Sequence, residues 1–216
     1  QMTWAGANKY TSNPEFPKHI TLTSASGAYG YVISEYIMSG LLALTKKLVL
    51  YRGQMEQGGW DKIKPDDTLE GKRVLVLGTG DIGQETARKL NCFGAYTVGL
   101  RRTPGKTNPL FHETHTIECL DEQLQLADVV VIALPGTGET AGLFDAERIQ
   151  KMKTGAILVN VGRGFIVNTE ALTEAIQKGV LGGAVLDVTE PEPLPEHHPL
   201  RTMEHVVLTP HISTFL

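Results

Sequence analysis

Seven short runs of apolar and β-branched residues recur along the chain. Most are apolar throughout instead of alternating with polar residues, which is typical of strands that are buried on both faces of a parallel sheet. The predicted strands are residues 74–77, 96–100, 114–119, 128–134, 156–161, 183–187 and 205–208, of which 114–119 has the weakest pattern.

Helical periodicity separates these runs. Apolar residues at positions 33, 37, 41, 44 and 48 recur every three to four residues, so we predict one long helix over 29–50 with a buried face. The tyrosines at 29, 31 and 36 are interpreted as packing residues of this helix. Further helices are predicted after Gly83 and over 145–152 and 168–178, with a loop over 53–67 and a short strand near 20–22.

Apolar strands that alternate with helices predict an α/β fold, a doubly wound parallel sheet covered on both faces. In such sheets ligands bind beyond the carboxyl ends of the strands. Pro135, the segment Gly162-Arg163-Gly164, Asp187 and the pair Pro210-His211 each follow or end a predicted strand. We therefore expect these residues to form a polar cluster at one edge of the sheet.

A glycine motif follows the first strong strand. Gly78, Gly80 and Gly83 have the spacing G-x-G-x-x-G between an apolar strand and a helical pattern. This context favours a dinucleotide site over an ordinary turn, because the glycines permit a tight turn, approach of a pyrophosphate and close packing of the helix. The helix start offers unpaired N–H groups to a phosphate.

Composition removes several classes of function. The 216 residues carry a net charge of −4 and no long basic run, so we expect no nucleic-acid partner. The most apolar helix is shorter than a membrane span and contains Glu35, so no membrane association is expected. The two cysteines have no paired spacing and no signal peptide is visible, so we predict a cytoplasmic location. The spacing of the cysteines and histidines shows no convergent set of metal ligands, so we predict no metal site.

Several motifs in fixed order resemble the D-isomer-specific 2-hydroxyacid dehydrogenases. They are V-L-G-T-G-D-I-G, L-P-G-T-G-E-T at 134–140, V-N-V-G-R-G at 159–164, L-D-V-T-E-P-E-P at 186–193 and T-P-H-I at 209–212. The 186–195 run, followed by His198-Pro199-Leu200, is most similar to the glyoxylate and hydroxypyruvate reductase branch of that family.

The resemblance assigns three catalytic residues. Arg163 matches the arginine that binds the carboxylate and oxo group of the substrate, a geometry that suits its planar fork. His211 matches the general acid that protonates the nascent alkoxide, and Glu192 matches the acid that hydrogen-bonds this histidine and favours its protonated form. The alternatives are an arginine that caps carbonyl groups, a structural histidine and a solvated acid among Glu190, Glu192 and Glu196.

The resemblance also assigns residues to binding. Asp187 matches a residue that contacts the nicotinamide carboxamide, and Ala5 and Gly6 match backbone of the other lobe that grips the substrate carboxylate. Asp81 and Ile82 would offer backbone N–H groups to the pyrophosphate. The cofactor-binding set expected from the family is Gly78, Gly80, Asp81, Ile82, Gly83, Arg101, Arg102, Thr103, Leu134, Pro135, Thr140, Val161, Gly162 and Asp187.

The end of the second strand bears on the choice of cofactor. An NAD site normally carries Asp or Glu there to accept hydrogen bonds from the ribose hydroxyls. This chain has Arg101, Arg102 and Thr103, and guanidinium groups attract the 2′-phosphate that a carboxylate repels. We predict NADP(H) in preference to NAD(H), the alternative being two solvated arginines in a turn.

In family members the nucleotide domain is inserted into a flavodoxin-like substrate domain. We therefore expect an incomplete substrate domain at 1–25, a Rossmann-type NAD(P)-binding domain at 26–210 and the return to the substrate domain at 211–216. Such a piece would bind cofactor and turn over substrate poorly. The helix after Gly27 lies where family members form a two-fold dimer, so the resemblance implies a homodimer. The expected function is reduction of a small 2-oxo acid of the glyoxylate or hydroxypyruvate type to the D-2-hydroxy acid. The alternatives are a D-lactate-like or other 2-hydroxyacid dehydrogenase and a nucleotide-sensing, corepressor-like scaffold.

Overall fold

Seven parallel strands form one sheet in the computed structural model, which describes residues 2, 10, 13–17, 19–63, 67–105 and 108–214. The strands run in the order β3-β2-β1-β4-β5-β6-β7. Their bounds are β1 Arg73–Leu77, β2 Tyr96–Arg101, β3 Glu113–Thr116, β4 Val129–Ile132, β5 Ile157–Asn160, β6 Gly183–Leu186 and β7 Val206–Leu208.

The strand order reverses direction at β1. β1 pairs with β2 on one side, with Leu75 opposite Val98, and with β4 on the other, with Leu75 opposite Val130. The connections after β1 and β4 therefore leave in opposite directions, which opens a crevice between the carboxyl ends of these two strands. The predicted doubly wound parallel sheet is confirmed.

Helices cover both faces of the sheet. Over residues 19–63, 67–105 and 108–214 the α-helices are α1 Gly30–Thr45, α2 Leu48–Glu56, α3 Asp81–Cys92, α4 Leu120–Leu126, α5 Ala146–Gln150 and α6 Thr169–Gln177. Short 3₁₀ turns occur at Ile117–Cys119, Gly164–Ile166 and Pro199–Arg201.

Alternate strand residues feed two separate apolar cores. Leu75, Leu77 and their neighbours on other strands pack with residues of α4, α5 and α6, such as Leu124 and Ile149. Val74 and Val76 point to the opposite face, where they pack with residues of α1 and α3. Because both faces are buried, the strands need no polar alternation, which is the pattern observed in the sequence.

The single long helix predicted over 29–50 is wrong. The first helix ends before Lys46 and Lys47, and Lys47 has a φ of 55°. A second helix then runs to Glu56, through part of the predicted loop. The hydroxyl of Thr45 donates to the carbonyl of Leu41 at 2.9 Å, and Lys46 donates to the carbonyl of Asp67 at 2.6 Å. At this point Thr45 bonds back into its own helix, and the Lys46 side chain contacts the loop that follows α2. None of the residues of α2 is buried, so its apolar pattern does not mark a core face.

Two weaker predictions need correction. Residues 21–25 form no strand, and the side chain of Ile20 is 49 % exposed, so the apolar pattern there has no buried face behind it. The third strand ends at Thr116 and is followed by the helix α4, which the sequence reading omitted. β3 lies at the edge of the sheet with all four residues half-buried, which explains its weak apolar signal.

Within the described part of the chain, the helices are too short or too polar to cross a lipid bilayer. The same residues contain no group of three or more His, Cys, Asp or Glu side chains arranged to hold a metal ion.

Candidate functional site

The loops that leave the carboxyl ends of β1, β4, β5, β6 and β7 lie along one edge of the sheet and carry most of the predicted site residues. Ala5 and Gly6 fall outside the described residues. The other predictions can be placed individually.

The glycine turn after β1 has two tightly packed positions and one open position. A Cβ at Gly78, whose φ is +100°, would lie 2.6 Å from the carbonyl oxygen of Ala133, and a Cβ at Gly83 would lie 1.9 Å from that of Gly78. A Cβ at Gly80 would meet no atom within 4 Å. Gly78 and Gly83 are thus required by the fold itself, whereas the space over Gly80 is free for a ligand.

In the first turn of α3 the backbone N–H groups and the acidic side chain have different roles. The first N–H groups of a helix, here including those of Asp81 and Ile82, have no intrahelical acceptors, and Gly80 has no side chain to cap them. The Asp81 carboxylate instead accepts the backbone N–H of Gly30 at 2.7 Å and so caps α1. These unpaired N–H groups beside the open space at Gly80 fit the pyrophosphate of a dinucleotide.

Arginines occupy the end of β2. Arg101 donates to the carbonyl of Gly105 in the same loop. Arg102 forms a long ion pair with Glu139, 3.9 Å between Nη1 and Oε2, and both side chains are more than three-quarters exposed. Thr103 is exposed. Residues 101–105 contain no carboxylate, so the local charge of this turn is positive.

The loop after β4 is organised by Thr140. Its hydroxyl donates to the carbonyl of Pro135 at 2.8 Å and accepts the N–H of Thr137 at 2.9 Å. The hydroxyl of Thr140 is therefore engaged within the loop that carries Leu134 and Pro135. A Cβ at Gly136 would lie 2.8 Å from Cγ of Arg163, so this loop packs directly on that arginine.

A buried asparagine shapes the turn that carries Arg163. Asn160 is 1 % exposed, donates to the carbonyl of Arg163 at 2.9 Å and accepts the N–H of Gly162 at 3.0 Å. Val161 and Gly162 are buried. The Arg163 guanidinium donates through Nη1 to the carbonyl of Gly162 at 2.7 Å and remains half-buried.

The turn after β5 also contacts the segment after β6. A Cβ at Gly164 would lie 1.8 Å from the carbonyl oxygen of Thr189 and 2.8 Å from the backbone nitrogen of Glu190. The backbone next to Arg163 therefore lies against the segment that leads to Glu192. This contact brings two sequence motifs together that are separated by more than twenty residues.

Glu192 and His211 form a direct pair. Nδ1 of His211 lies 2.7 Å from Oε1 of Glu192, and the two side chains are 41 % and 43 % exposed. The Glu192 carboxylate therefore fixes the orientation of the imidazole ring. His211 has a φ of 57°, a left-handed conformation that costs a residue other than glycine roughly 1–3 kcal/mol.

Asp187 fixes the backbone around His211. Its carboxylate is 1 % exposed and accepts the N–H of Ile212 at 2.8 Å, the N–H of Ser213 at 2.9 Å and the hydroxyl of Thr209 at 2.7 Å. The backbone carbonyl of Asp187 accepts the N–H of His211 at 2.9 Å. These bonds hold the left-handed turn in place.

Sequence reasoning missed three residues of this edge, Asn160, Tyr36 and Thr209. The hydroxyl of Tyr36 lies 2.6 Å from that of Thr209, and its burial raises the pKa of Tyr36 to about 12. Asn160 carries a signal, since a polar residue at the end of an apolar strand needs partners when it is buried. Nothing local in the sequence pairs Tyr36 with Thr209.

Comparison with known proteins identifies the family of this arrangement. The sequence model of the protein family "D-isomer specific 2-hydroxyacid dehydrogenase, NAD binding domain" matches residues 38–213. A glyoxylate reductase from Thermofilum pendens is 36 % identical over 211 residues, which cover 93 % of this chain and 61 % of that protein. A chloroplastic/mitochondrial formate dehydrogenase from Arabidopsis thaliana is 34 % identical over 203 residues, covering 90 % of this chain and 52 % of that protein.

A solved structure agrees with this match. The D-isomer specific 2-hydroxyacid dehydrogenase from Xanthobacter autotrophicus, solved in complex with NADPH, has a TM-score of 0.87 and 32 % identity, covering 98 % of this chain and 87 % of that one. The chain spans about three-fifths of the length of the glyoxylate reductase and about half of the formate dehydrogenase.

Proposed function

Because the chain belongs to the D-isomer specific 2-hydroxyacid dehydrogenase family, whose members are NAD(P)-dependent oxidoreductases, we propose that it reduces a small 2-oxo acid to the D-2-hydroxy acid. The acid is of the glyoxylate or hydroxypyruvate type, and NADPH is the preferred reductant. The observation that carries the proposal is the 2.7 Å contact of Glu192 with His211 at the edge where the glycine turn opens.

His211 supplies the proton in this proposal. With Nδ1 facing the Glu192 carboxylate, the ring holds a proton on that nitrogen and Nε2 is left to act on substrate. In the reductive direction Nε2–H donates to the oxygen that becomes the hydroxyl, and in oxidation Nε2 accepts that proton. The partial exposure of the imidazole leaves it accessible to a substrate.

Arg163 anchors and polarises the substrate. One guanidinium nitrogen is engaged with the carbonyl of Gly162, and the guanidinium has further N–H donors for a carboxylate and the adjacent oxo group. Its positive charge stabilises the negative charge that develops on the oxo oxygen during reduction. Asn160 and Gly136 hold the backbone and the side-chain stem of Arg163 from two sides. Ala5 and Gly6 would grip the same carboxylate from the other lobe.

The cofactor would bind along the carboxyl edge of the sheet, where it supplies the hydride. Gly78, Gly80 and Gly83 with the N–H groups of Asp81 and Ile82 would hold the pyrophosphate. Leu134, Pro135, Thr140, Val161, Gly162 and Asp187 would line the remainder of the site. The carboxylate of Asp187 already accepts three bonds from the His211 loop, so contact with a nicotinamide would add to that role.

The positive turn after β2 supports NADP(H). Arg101, Arg102 and Thr103 would receive a 2′-phosphate, and the Xanthobacter autotrophicus relative was solved with NADPH. Replacement Arg101→Asp tests this assignment. We expect the ratio of kcat/KM for NADPH to that for NADH to fall by about tenfold or more, because a carboxylate repels the phosphate. An unchanged ratio would remove this assignment.

The substrate is tested by a panel of acids. Protein expressed from the complete coding sequence is assayed for NADPH and NADH oxidation with glyoxylate, hydroxypyruvate, pyruvate and bulkier 2-oxo acids, and for reduction of both oxidised cofactors with formate. We expect the highest kcat/KM with glyoxylate or hydroxypyruvate. A preference for pyruvate would favour a D-lactate-like dehydrogenase. Formate oxidation would favour a formate dehydrogenase, as the Arabidopsis thaliana relative is named. Tight dinucleotide binding without turnover of any acid would favour a nucleotide-sensing scaffold.

A further inference from the structure

A hydrogen-bond chain connects helix α1 to the loop of His211. The hydroxyl of Tyr36 on α1 lies 2.6 Å from the hydroxyl of Thr209, which donates to the Asp187 carboxylate at 2.7 Å. A hydroxyl has a single proton, and that of Thr209 goes to the carboxylate, which only accepts. Tyr36 must therefore be the donor to Thr209, so the chain has one direction, from Tyr36 through Thr209 to Asp187.

Asp187, at one end of this hydrogen-bond chain, fixes the backbone around His211. The Asp187 carboxylate also accepts the N–H groups of Ile212 and Ser213, and the backbone carbonyl of Asp187 accepts that of His211. Residues 209–213 thus wrap around one buried acid. The left-handed φ of His211 is uncommon for residues other than glycine, and these bonds stabilise it.

Helix α1 holds Tyr36, at the other end of the hydrogen-bond chain, in place. A Cβ at Gly40 would lie 2.4 Å from Cγ1 of Val185, so α1 packs closely on β6, the strand that leads into Asp187. The start of the same helix is fixed to the glycine turn by the bond between Gly30 and Asp81. Gly30 and Tyr36 are six residues apart, roughly 9 Å along a helix. One helix therefore contacts both the turn for the cofactor and the loop of the proton donor.

We propose that Tyr36 is a positioning residue, which acts through Thr209 and Asp187 to hold the His211 imidazole against Glu192. The inference rests on the proposed function, in which His211 donates the proton. Burial is the largest influence on Tyr36 and raises its pKa to about 12, with a smaller increase from the charge of Asp187. The hydroxyl therefore keeps its proton throughout the neutral pH range and remains a donor to Thr209.

The first arm of the test measures turnover. Tyr36→Phe removes a single oxygen from the protein expressed from its complete coding sequence. We expect kcat for the preferred 2-oxo acid to fall about five- to twentyfold, the value of one lost hydrogen bond, while the Kd for NADPH stays unchanged. Thr209→Val should reproduce the loss and Thr209→Ser, which keeps the hydroxyl, should restore the rate. Tyr31→Phe, on the exposed side of the same helix, is the matched control.

The second arm reads the imidazole without turnover. In protein labelled with ¹⁵N-histidine, the Nδ1–H signal of His211 is assigned by its loss in His211→Gln. We expect this signal to shift or broaden in Tyr36→Phe and Thr209→Val and to stay in place in Tyr31→Phe. A double variant with Glu192→Gln should lose less than the product of the two single losses, because both changes act on one imidazole.

Three outcomes are decisive. A wild-type kcat together with an unmoved His211 signal in Tyr36→Phe would overturn the inference, even if the variant melted at a lower temperature. If Tyr36→Phe did not fold, an unmoved signal and unchanged kcat in Thr209→Val would overturn it in the same way. A wild-type protein that reduces no 2-oxo acid would refute the proposed function instead, and a signal that still moved in Tyr36→Phe would support the link between α1 and His211.

Discussion

His211 and Glu192 belong to different loops, and the Glu192 carboxylate that joins them is partly open to solvent. Glu192→Gln keeps a hydrogen-bond acceptor for Nδ1–H and removes only the charge. We expect kcat for 2-oxo acid reduction to fall about ten- to hundredfold.

The matched control is Glu196→Gln, an exposed acid in the same proline-rich loop. Steady-state rates compare the two variants with the wild type. If Glu192→Gln kept the wild-type rate, Glu192 would have no part in the reaction.

Two glycines of the turn after β1 are expected to have different roles, one in folding and one in dinucleotide binding. A Cβ at Gly83 overlaps the carbonyl of Gly78, whereas a Cβ at Gly80 meets nothing within 4 Å. We expect Gly83→Ala to lower the free energy of unfolding by about 1–3 kcal/mol. Gly80→Ala should unfold like the wild type and bind NADPH about tenfold or more weakly, because the new methyl occupies space that the pyrophosphate needs.

Urea denaturation and dinucleotide titration of the two variants measure both quantities. A stable Gly80→Ala protein with unchanged affinity would show that the pyrophosphate does not approach this residue.

At the residue scale the sequence predicts motif residues and misses those that hold them. Motifs in fixed order assign Arg163, Glu192 and His211, and the structure places the last two in contact. Tyr36 and Thr209 lie 173 positions apart, so their contact arises only when α1 packs on the sheet. A tyrosine in an apolar helix looks like a packing residue until its hydroxyl has a partner.

At the scale of elements, the edge of the sheet is stabilised by a polar network on Glu113 of β3. Its carboxylate accepts two bonds from Arg73 of β1 at 2.8 and 3.2 Å, one from Tyr96 of β2 at 2.8 Å, and lies 2.9 Å from Nε2 of His115. The bonds from Arg73, followed by those from His115 and Tyr96, lower the pKa of Glu113 from 4.5 to about 2.

We expect Glu113→Gln to lower the free energy of unfolding by about 1 kcal/mol near neutral pH, since the carboxylate is partly exposed. A depressed pKa in the folded state contributes stability above the unfolded value of 4.5, and this contribution is lost as the pH falls through the folded value of about 2.

Urea denaturation at several pH values measures the difference between Glu113→Gln and the wild type. The difference should be constant from neutral pH to about pH 5 and shrink below it. The exposed Glu122→Gln is the control. A difference that did not depend on pH would show that the charge of Glu113 contributes nothing to stability.

Elements that carry a buried face were predictable and those without one were not. Apolar runs located the central strands, because two cores require continuous apolar residues in them. Periodicity did not predict the break at Lys47 or the separate helix α2, since apolar spacing continues through both although no residue of α2 is buried. β3 was too long in the sequence reading because a half-buried edge strand has little apolar signal.

At the scale of the whole molecule, the alternation of strands and helices was enough to predict the sheet and the edge that carries the site. The substrate lobe was inferred from the family alone, and Ala5 and Gly6 lie outside the described residues. Residues 1–25 and 211–216 are still proposed as parts of that lobe, around a nucleotide domain at 26–210. Selectivity for the side chain of the acid would depend on it.

We also propose that the whole molecule forms a homodimer. The side chains of Leu48 and Met55 of α2 and of Trp60 are 57 %, 40 % and 87 % exposed, and a second copy can cover such apolar side chains. We expect light scattering of protein expressed from the complete coding sequence to give twice the mass of one chain. A mass of one chain at all concentrations would contradict the dimer.

The most direct test of the account is the rate of glyoxylate and hydroxypyruvate reduction by the wild type and by His211→Gln, measured with the NADPH affinity of both. We predict that the wild type reduces at least one of these acids. His211→Gln should be slower by about a hundredfold or more with unchanged NADPH affinity, because only the proton donor is lost. Wild-type turnover by His211→Gln, or no reduction of either acid by the wild type, would contradict it.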